Sequence, residues 1–322
     1  MTTVPDVVAA GGAHLPGLLD RVEERLGQLA VDHGGPLATH AEATIAAGGK
    51  RLRPLLVLLA AGGAQGDGLV RAATAVELVH SATLVHDDVL DGAALRRGTP
   101  TVVARAGRAM ATATGDLLFA RAFAELVCNR STDEVRVLSD ASSALAAGEL
   151  LQRADAWNPA VPVERYLLRC ELKTARLFEA ACRLGALEGG GGDEVAERLG
   201  EFGRRVGVAF QLLDDVLDVS GPVERTGKPR GTDLLDGTVT LPFLLARERD
   251  AELAQLDPRS ITTAELAAAV CDAIAATGAL EDARMRALTI VADAKAHLPD
   301  GLPAAQRTAM ELVADGVVAR YT

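Results

Sequence analysis

One acidic pentapeptide, Asp-Asp-Val-Leu-Asp, occurs twice in this chain, from Asp87 to Asp91 and from Asp214 to Asp218. On a helix, residues four apart share a face, so the first and last aspartates of each copy point the same way. No Lys or Arg lies three or four residues away to neutralise either copy. A single copy could be a solvated acidic face. Two identical copies with apolar flanks favour a site for hard divalent cations, above all Mg²⁺.

Basic residues in loops or at helix ends accompany the two acidic copies. They are Lys50, Arg51, Arg53, Arg96, Arg97, Lys173, Lys228 and Arg230. Arg grips phosphate oxygens in a fork and Lys acts as a point charge, so bases beside bound Mg²⁺ indicate a phosphate site. Together these residues predict a substrate with several negative charges, such as a diphosphate. The Gly48-Gly49-Lys50 turn lacks the spacing of a P-loop.

The elements that must position these residues are predicted to be helices. Hydrophobic residues make up 49% of the chain and aromatic residues only 3%, which favours close helix–helix packing over a β-sandwich. Helical periodicity is clear from Val70 to Asp91 and from Val195 to Ser220, and no convincing alternating strand is found. We expect one all-helical domain over residues 16–322, after a poorly ordered segment at residues 1–15.

Charge and composition argue against several classes of protein. The net charge of −11 makes a nucleic-acid or anionic-membrane partner a poor expectation. The four cysteines are scattered and are predicted to be reduced, as in the cytoplasm. The N-terminus lacks the pattern of a signal peptide, and the longest apolar run, Leu55 to Ala61, is too short to span a bilayer. We therefore expect a cytoplasmic protein without stable membrane insertion.

A set of motifs in this order is similar to the trans-type isoprenyl diphosphate synthases, or polyprenyl synthetases. The motifs are Gly-Gly-Lys-Arg-Leu-Arg-Pro (Gly48 to Pro54), Glu77-Leu78-Val79-His80 before His86-Asp87-Asp88, Arg96-Arg97-Gly98, Lys173-Thr174-Ala175, Phe210-Gln211-Leu212-Leu213-Asp214-Asp215, Gly227-Lys228 and Thr240-Leu241-Pro242. The resemblance covers the chain from about Leu26 onward. It implies an all-α, isoprenoid-synthase-type helical bundle around a deep central cavity, and a homodimer.

The resemblance also implies roles for individual residues. Contacts to isopentenyl diphosphate fall on Lys50, Arg53, His80 and Arg97, and contacts to the allylic diphosphate on Arg96, Lys173, Thr174, Gln211 and Lys228. With substrate bound, about three Mg²⁺ ions are expected. Their ligands are Asp87 and Asp91 for two ions and Asp214 for a third, with Asp215 and Asp218 in support. The metal set is therefore Asp87, Asp91, Asp214 and Asp218, and the catalytic set also includes Asp88, Asp215 and Lys173.

The implied reaction is head-to-tail condensation of isopentenyl diphosphate with an allylic prenyl diphosphate. Metals and cations stabilise the charge on the departing diphosphate, the isopentenyl double bond attacks the allylic cation, and a proton is lost. The chain departs from the family pattern at one place. Thr238 stands where a Lys commonly precedes the Thr-Leu-Pro segment, so a cation for the allylic diphosphate is missing unless Arg230 substitutes.

Product length is predicted from the residues one to two turns before Asp87. Ala82 and Thr83 lie about 6–8 Å from Asp87 along the helix axis, and Val79 lies deeper on the same face. In the family, large aromatic residues at these places form a floor, whereas here the residues are small. They could merely allow tight helix packing, but we expect them to admit a product of about thirty carbons or more.

Three other functions stay open. A geranylgeranyl diphosphate synthase would make a shorter product with the same machinery. A non-catalytic regulatory subunit of a heteromeric synthase is expected to lose an acidic motif, and neither is lost here, although Thr238 keeps this alternative in view. A terpene cyclase usually lines its cavity with aromatic residues, which are scarce in this chain.

Overall fold

The structure is a computed structural model that describes residues 3–32, 34–96, 98–221 and 230–319. Helices form most of these ranges. In the first half they are α1 (Val4–Gly11), α2 (Leu15–Val31), α3 (Gly35–Ala46), α4 (Leu52–Ala60), α5 (Asp67–Asp91), α6 (Val102–Val127) and α7 (Thr132–Asp155). In the second half they are α8 (Val163–Cys170), α9 (Arg176–Glu188), α10 (Gly192–Ser220), α11 (Thr232–Leu235), α12 (Leu241–Arg247), α13 (Ala251–Gln255), α14 (Ala264–Ala276), α15 (Ala279–Ala296) and α16 (Ala304–Ala319). The expectation of an all-helical bundle is confirmed.

The first acidic motif lies at the end of α5, a helix in the core of the bundle. This helix packs against α2, α4, α6 and α9, so most of its Leu, Val and Ala side chains are buried. Among the described helices, α5 is long and apolar enough to cross a membrane, but 72% of its most apolar window is buried inside the protein. Gly92 ends the helix with a left-handed φ of 63°, a conformation that glycine adopts without steric cost.

The second acidic motif lies near the end of α10, which packs against α9, α14, α15 and α16. The run of four glycines, Gly189 to Gly192, falls between α9 and α10. These two helices pack along one another, and a single domain over residues 16–322 stays a prediction. Both motifs belong to one bundle.

A π-helical turn, Glu171–Ala175, joins α8 to α9 and carries Lys173 and Thr174. The sequence predicts one continuous helix here, and the structure corrects this to two α-helices with a widened turn between them. Gly148 on α7 allows the close approach of this turn, because a Cβ atom at Gly148 would lie 2.5 Å from the backbone nitrogen of Lys173. Turns of this kind occur frequently at functional sites.

The structure differs from the sequence-based expectation at two further places. Instead of a poorly ordered segment at residues 1–15, it has helix α1 and the start of α2. Thr3 and Asp6 form a reciprocal cap at the start of α1, and buried Val7 helps to dock this helix against α16. A short antiparallel pair of strands, β1 (Leu95–Arg96) and β2 (Thr99–Pro100), also follows α5.

Candidate active site

A cleft of about 730 Å³ opens where the end of α5, the middle of α10 and the π-helical turn meet. Its wall includes residues of both acidic motifs or their flanks: Asp91 and Arg96 on one side, Gln211 and Asp215 on the other. Lys173 and Thr174 lie between them. The structure therefore brings together six of the residues predicted from the sequence.

Asp87 is half-buried beside this cleft, in a strongly charged environment. The pKa of its carboxyl is raised to about 6, chiefly by burial; Glu149 and Asp91 contribute to the rise, and Lys173 and Arg96 oppose it. A carboxylate that is costly to ionise without compensation is suited to binding a cation.

The other two acids of the first motif have partners. Asp91 is exposed and accepts a hydrogen bond from an Arg153 Nη over 2.5 Å. Asp88 is buried and accepts one from Arg96 Nε over 2.7 Å. Asp88 lines a separate hollow on the other side of Arg96, so the three neighbouring acids of the motif do not act as equivalent ligands.

The acidic residues of the second motif also lie in different environments. Asp215 is buried, with Tyr166 Oη donating to one carboxylate oxygen over 2.6 Å and Gln211 Nε2 to the other over 2.8 Å. Burial raises the pKa of Asp215 to about 6, while Tyr166, Gln211 and Arg169 oppose the rise and Asp214 adds to it. Asp214, in contrast, is half-buried. Both carboxylate oxygens of Asp215 therefore accept hydrogen bonds from neighbouring side chains, and the role of Asp214 as a metal ligand stays a prediction.

The hydrogen bond that Asp215 accepts from Gln211 fixes the orientation of two diphosphate contacts predicted from the resemblance, Gln211 and Thr174. Because Gln211 gives its amide NH₂ to Asp215, its carbonyl oxygen is the atom that accepts from Thr174 Oγ1, over 2.7 Å. Asp218 is buried and accepts from the backbone N–H of Asp233 over 3.2 Å. This contact ties the end of α10 to α11, which supplies further residues of the cleft wall.

Glu149 on α7 connects the two sides of the cleft through an ion-pair network. It binds Lys173 Nζ, and it accepts a hydrogen bond from Arg153 Nε over 2.8 Å. Arg153 in turn holds Asp91. The pKa of Glu149 is lowered by these two cations against the opposing effect of burial. Lys173 and Asp91 are thereby linked through Glu149 and Arg153.

The hollow beyond Arg96 has a volume of about 60 Å³, and among the predicted isopentenyl diphosphate contacts that the structure describes, only His80 lines it. It is lined by His80, Arg51, Arg96 and Arg105, among others. Arg96 borders both cavities, so the two predicted diphosphate sites are adjacent.

Two predicted contacts lie elsewhere. Arg53 places its guanidinium 4.7 Å from the ring centroid of Phe178, and Lys50 is exposed. Arg97 and Lys228 are outside the described residues.

The predicted product-length residues lie along α5. Val79 and Ala82 are fully buried, and the Thr83 hydroxyl donates to the carbonyl of His80 over 2.8 Å. In the described part of the chain, the walls of the two cavities do not include these three residues. Their role in product length stays a prediction.

The acidic residues are suited to a site in which Mg²⁺ is bound partly by the protein and partly by the substrate. Among the described residues, no three His, Cys, Asp or Glu side chains converge into a complete metal site. Mg²⁺ is commonly held by one or two carboxylates together with substrate phosphates and water. The raised pKa of Asp87, with Asp91 among its causes, matches such partial coordination.

Sequence reasoning did not identify Glu149, Arg153, Tyr166 and Arg169, which hold or line the cleft. A partial signal exists for the last two, because Arg169 lies about one turn and Tyr166 about two turns before Lys173, where they can share its helical face. The pairings of Glu149 and Arg153 depend on how α7 packs against the π-helical turn, which the sequence pattern does not reveal.

Comparison with known proteins identifies the family of this chain. A sequence model described as polyprenyl synthetase matches residues 36–276. The heptaprenyl diphosphate synthase component 2 of Geobacillus stearothermophilus is 43% identical over 291 residues, which cover 88% of this chain and 90% of that protein. The geranylgeranyl diphosphate synthase of Methanosarcina mazei is 34% identical over 328 residues, covering 99% of each chain.

The fold agrees with that of a solved relative. A polyprenyl synthase from Caulobacter crescentus CB15, complexed with calcium and isoprenyl diphosphate, superposes with a TM-score of 0.87 at 36% identity, over 100% of this chain and 99% of that one. The chain therefore belongs to the polyprenyl synthetase family, which comprises divalent-metal-dependent prenyltransferases.

Proposed function

We propose that this protein condenses isopentenyl diphosphate with an allylic prenyl diphosphate, in trans and head to tail, to give a linear polyprenyl diphosphate. The proposal rests chiefly on the cleft in which residues of both acidic motifs face Lys173, Thr174 and Gln211. About three Mg²⁺ ions accompany the substrates, bound by Asp87, Asp91 and Asp214 with support from Asp218. The protein acts as a homodimer in the cytoplasm.

The residues of the cleft have distinct tasks in this reaction. Lys173 and Thr174 bind the allylic diphosphate, and Arg96 binds it from the side of the first motif. The metal ions supply Lewis-acid stabilisation of the leaving diphosphate. The allylic C–O bond breaks with its electron pair going to the diphosphate, the isopentenyl double bond forms the new C–C bond, and a proton leaves the resulting cation. His80 and Arg51 line the hollow that receives isopentenyl diphosphate.

We expect a product of about thirty carbons or more, since small residues occupy the positions one to two turns before Asp87. Ala82 and Val79 leave room for a prenyl tail that an aromatic ring would block. The name of the Geobacillus relative agrees with this length, and the name of the Methanosarcina relative keeps a twenty-carbon product as the alternative.

Incubation of the purified protein with isopentenyl diphosphate, farnesyl diphosphate and Mg²⁺ tests the proposal. The products are dephosphorylated and separated by thin-layer chromatography against linear standards. We expect a ladder that ends at about thirty carbons or beyond. A cyclic hydrocarbon would show a cyclase, and a fifteen-carbon end product would contradict the expected length.

The name of the Geobacillus relative also marks it as component 2, which favours testing a heteromeric arrangement. If the purified chain elongates farnesyl diphosphate alone, it is a complete synthase. If it binds substrate without elongating it, the regulatory or partner-dependent alternative holds. Light scattering of the same sample measures whether the active species is a dimer.

A further inference from the structure

Arg169 on α8 is a buried cation in the wall of the cleft. Only 4% of the residue is exposed, and one guanidinium nitrogen, Nη2, donates to the carbonyl of Val239 over 2.6 Å. The guanidinium carbon lies 5.1 Å from the ring centroid of Tyr166. These contacts anchor one arm of the guanidinium beside the segment that follows α11.

The other arm of Arg169 lacks a partner in the described part of the protein. Its Nη1 atom is buried and makes no hydrogen bond with any described residue. A buried guanidinium N–H without an acceptor is unfavourable, because the group has lost its water without gaining a bond. Since Arg169 lines the cleft, an acceptor that enters the cleft can satisfy it, and a positively charged donor favours an anionic acceptor.

Thr238, which precedes Val239, indicates what the buried guanidinium of Arg169 could bind. Thr238 lines the same cleft, at the position where the family resemblance implies a lysine. Arg230 does not supply the missing charge, because its Nη2 atom binds the carbonyl of Ala268 and the carboxylate of Asp272 over 3.0 and 2.5 Å. Arg169 is hydrogen-bonded to the carbonyl of Val239, the residue after Thr238. It therefore places a permanent positive charge near the position at which the lysine is missing.

We propose that Arg169 is a binding residue for the diphosphate of the allylic substrate, to which Nη1 donates in place of a cation at position 238. This inference rests on the proposed function of the cleft. It assigns Arg169 to the same ligand as Lys173, since both residues line the cleft. The interaction explains why an arginine with an unsatisfied buried nitrogen lies in this wall.

Isothermal titration of inorganic pyrophosphate in the presence of Mg²⁺ tests the inference without turnover. Arg169→Met is expected to weaken pyrophosphate binding by about tenfold to a hundredfold, as for loss of one charge-assisted hydrogen bond. The matched control is Arg165→Met, four residues away on α8. Arg165 binds Asp155 over 2.7 Å and does not line the cleft in the described structure, so its removal is expected to change stability but not pyrophosphate affinity.

Thr238→Lys tests whether a cation at position 238 can replace the one at position 169. We expect this change to increase the affinity for pyrophosphate more in the Arg169→Met protein than in the wild type, and equal increases would overturn the inference. If Arg169→Met does not fold, Arg169→Lys replaces it. This variant keeps the charge but cannot reach both Val239 and the cleft, so a similar loss is expected.

Steady-state kinetics separates binding from a purely structural role. In the Arg169 variants, the KM for the allylic substrate is expected to rise while the KM for isopentenyl diphosphate stays unchanged. Pyrophosphate affinity within twofold of the wild type in the variants would overturn the inference. That result would leave the proposed function intact as long as the wild type elongates its primer, so the two failures can be distinguished.

Discussion

The clearest pH-dependent effect on stability is expected at Glu134, in the first turn of α7. Its side chain is buried and accepts a hydrogen bond from Asn129 Nδ2 over 2.7 Å. It also lies against the carboxyl of Glu188, and Asn129 bonds to that group and to the carbonyl of Gly68. Burial raises the pKa of Glu134 to about 7, Glu188 adds to the rise, and Asn129 opposes it. The network joins the starts of α5 and α7 to the end of α9.

Replacing Glu134 with Gln removes this titration and keeps a neutral group of the same shape. In the wild type the folded-state pKa is raised above the unfolded value, so the folded protein holds the proton more tightly. The resulting stability is fully present below about pH 4.5 and is lost as the pH rises through about 7. A shift from 4.5 to about 7 corresponds to at most about 3 kcal/mol. Relative to Glu134→Gln, the wild type should lose up to that amount between pH 5 and pH 8.

Urea denaturation at several pH values measures this difference directly. Comparing the two proteins at each pH cancels the titration of Asp87 and Asp215, which both share. Asp133→Asn is the control, because the side chain of Asp133 is largely exposed on the neighbouring position of the same helix. The free energy of unfolding of Asp133→Asn should change with pH in the same way as that of the wild type. If the free energies of unfolding of the wild type and Glu134→Gln also change with pH in the same way from pH 5 to pH 8, the raised pKa assigned to Glu134 is wrong.

Three further variants test the site itself. Asp214→Asn should lower turnover by about a hundredfold or more through loss of electrostatic stabilisation, with an unchanged melting temperature, and near-normal turnover would contradict its role. Ala82→Phe should shorten the products on thin-layer chromatography, at a cost of about 1–3 kcal/mol for overpacking, and an unchanged product ladder would refute the predicted tail path. Tyr166→Phe should raise the pKa of Asp215 above about 6 and lower the free energy of unfolding at pH 7 by about 1.5–3 kcal/mol. An unchanged denaturation midpoint would show that the 2.6 Å hydrogen bond contributes nothing.

The helices that carry the acidic motifs could be predicted because local signals agree with the packing. Apolar periodicity identifies α5 and α10, and glycines follow the end of each, at Gly92 and Gly221. Helix α1 was missed although its signal is present. Thr3 followed by Asp6 has the spacing of a capping box, but the short length of the helix and the glycines around it suggest a loop. What stabilises α1 is its docking on α16, a contact between the two ends of the chain.

The π-helical turn could not be predicted from periodicity, because its extra residue shifts the apolar pattern by only one position between two short helices. Its cause lies in packing: Gly148 on α7 and Gly207 on α10 both let the turn approach closely. A Cβ atom at Gly207 would lie 2.6 Å from the Cα of Ala175. Neither glycine has a recognisable local signature, so the position of Lys173 in the cleft depends on contacts between helices that are distant in sequence.

The charges of the cleft divide into those that a substrate can displace and those that it cannot. Asp91 and Arg153 are both about 40% exposed, and a pair of this kind contributes only about 0.2–1 kcal/mol. A metal–diphosphate complex can therefore take Asp91 from Arg153 at little cost, and the released arginine stays beside the incoming anion. Asp215, with two hydrogen bonds in a buried position, would lose far more by leaving its partners. The two pentapeptides have identical sequences, but Asp91 is exposed and Asp215 is buried. We therefore expect Asp91 to exchange its partner when substrate binds and Asp215 to keep both of its partners, a difference that burial reveals and sequence spacing does not.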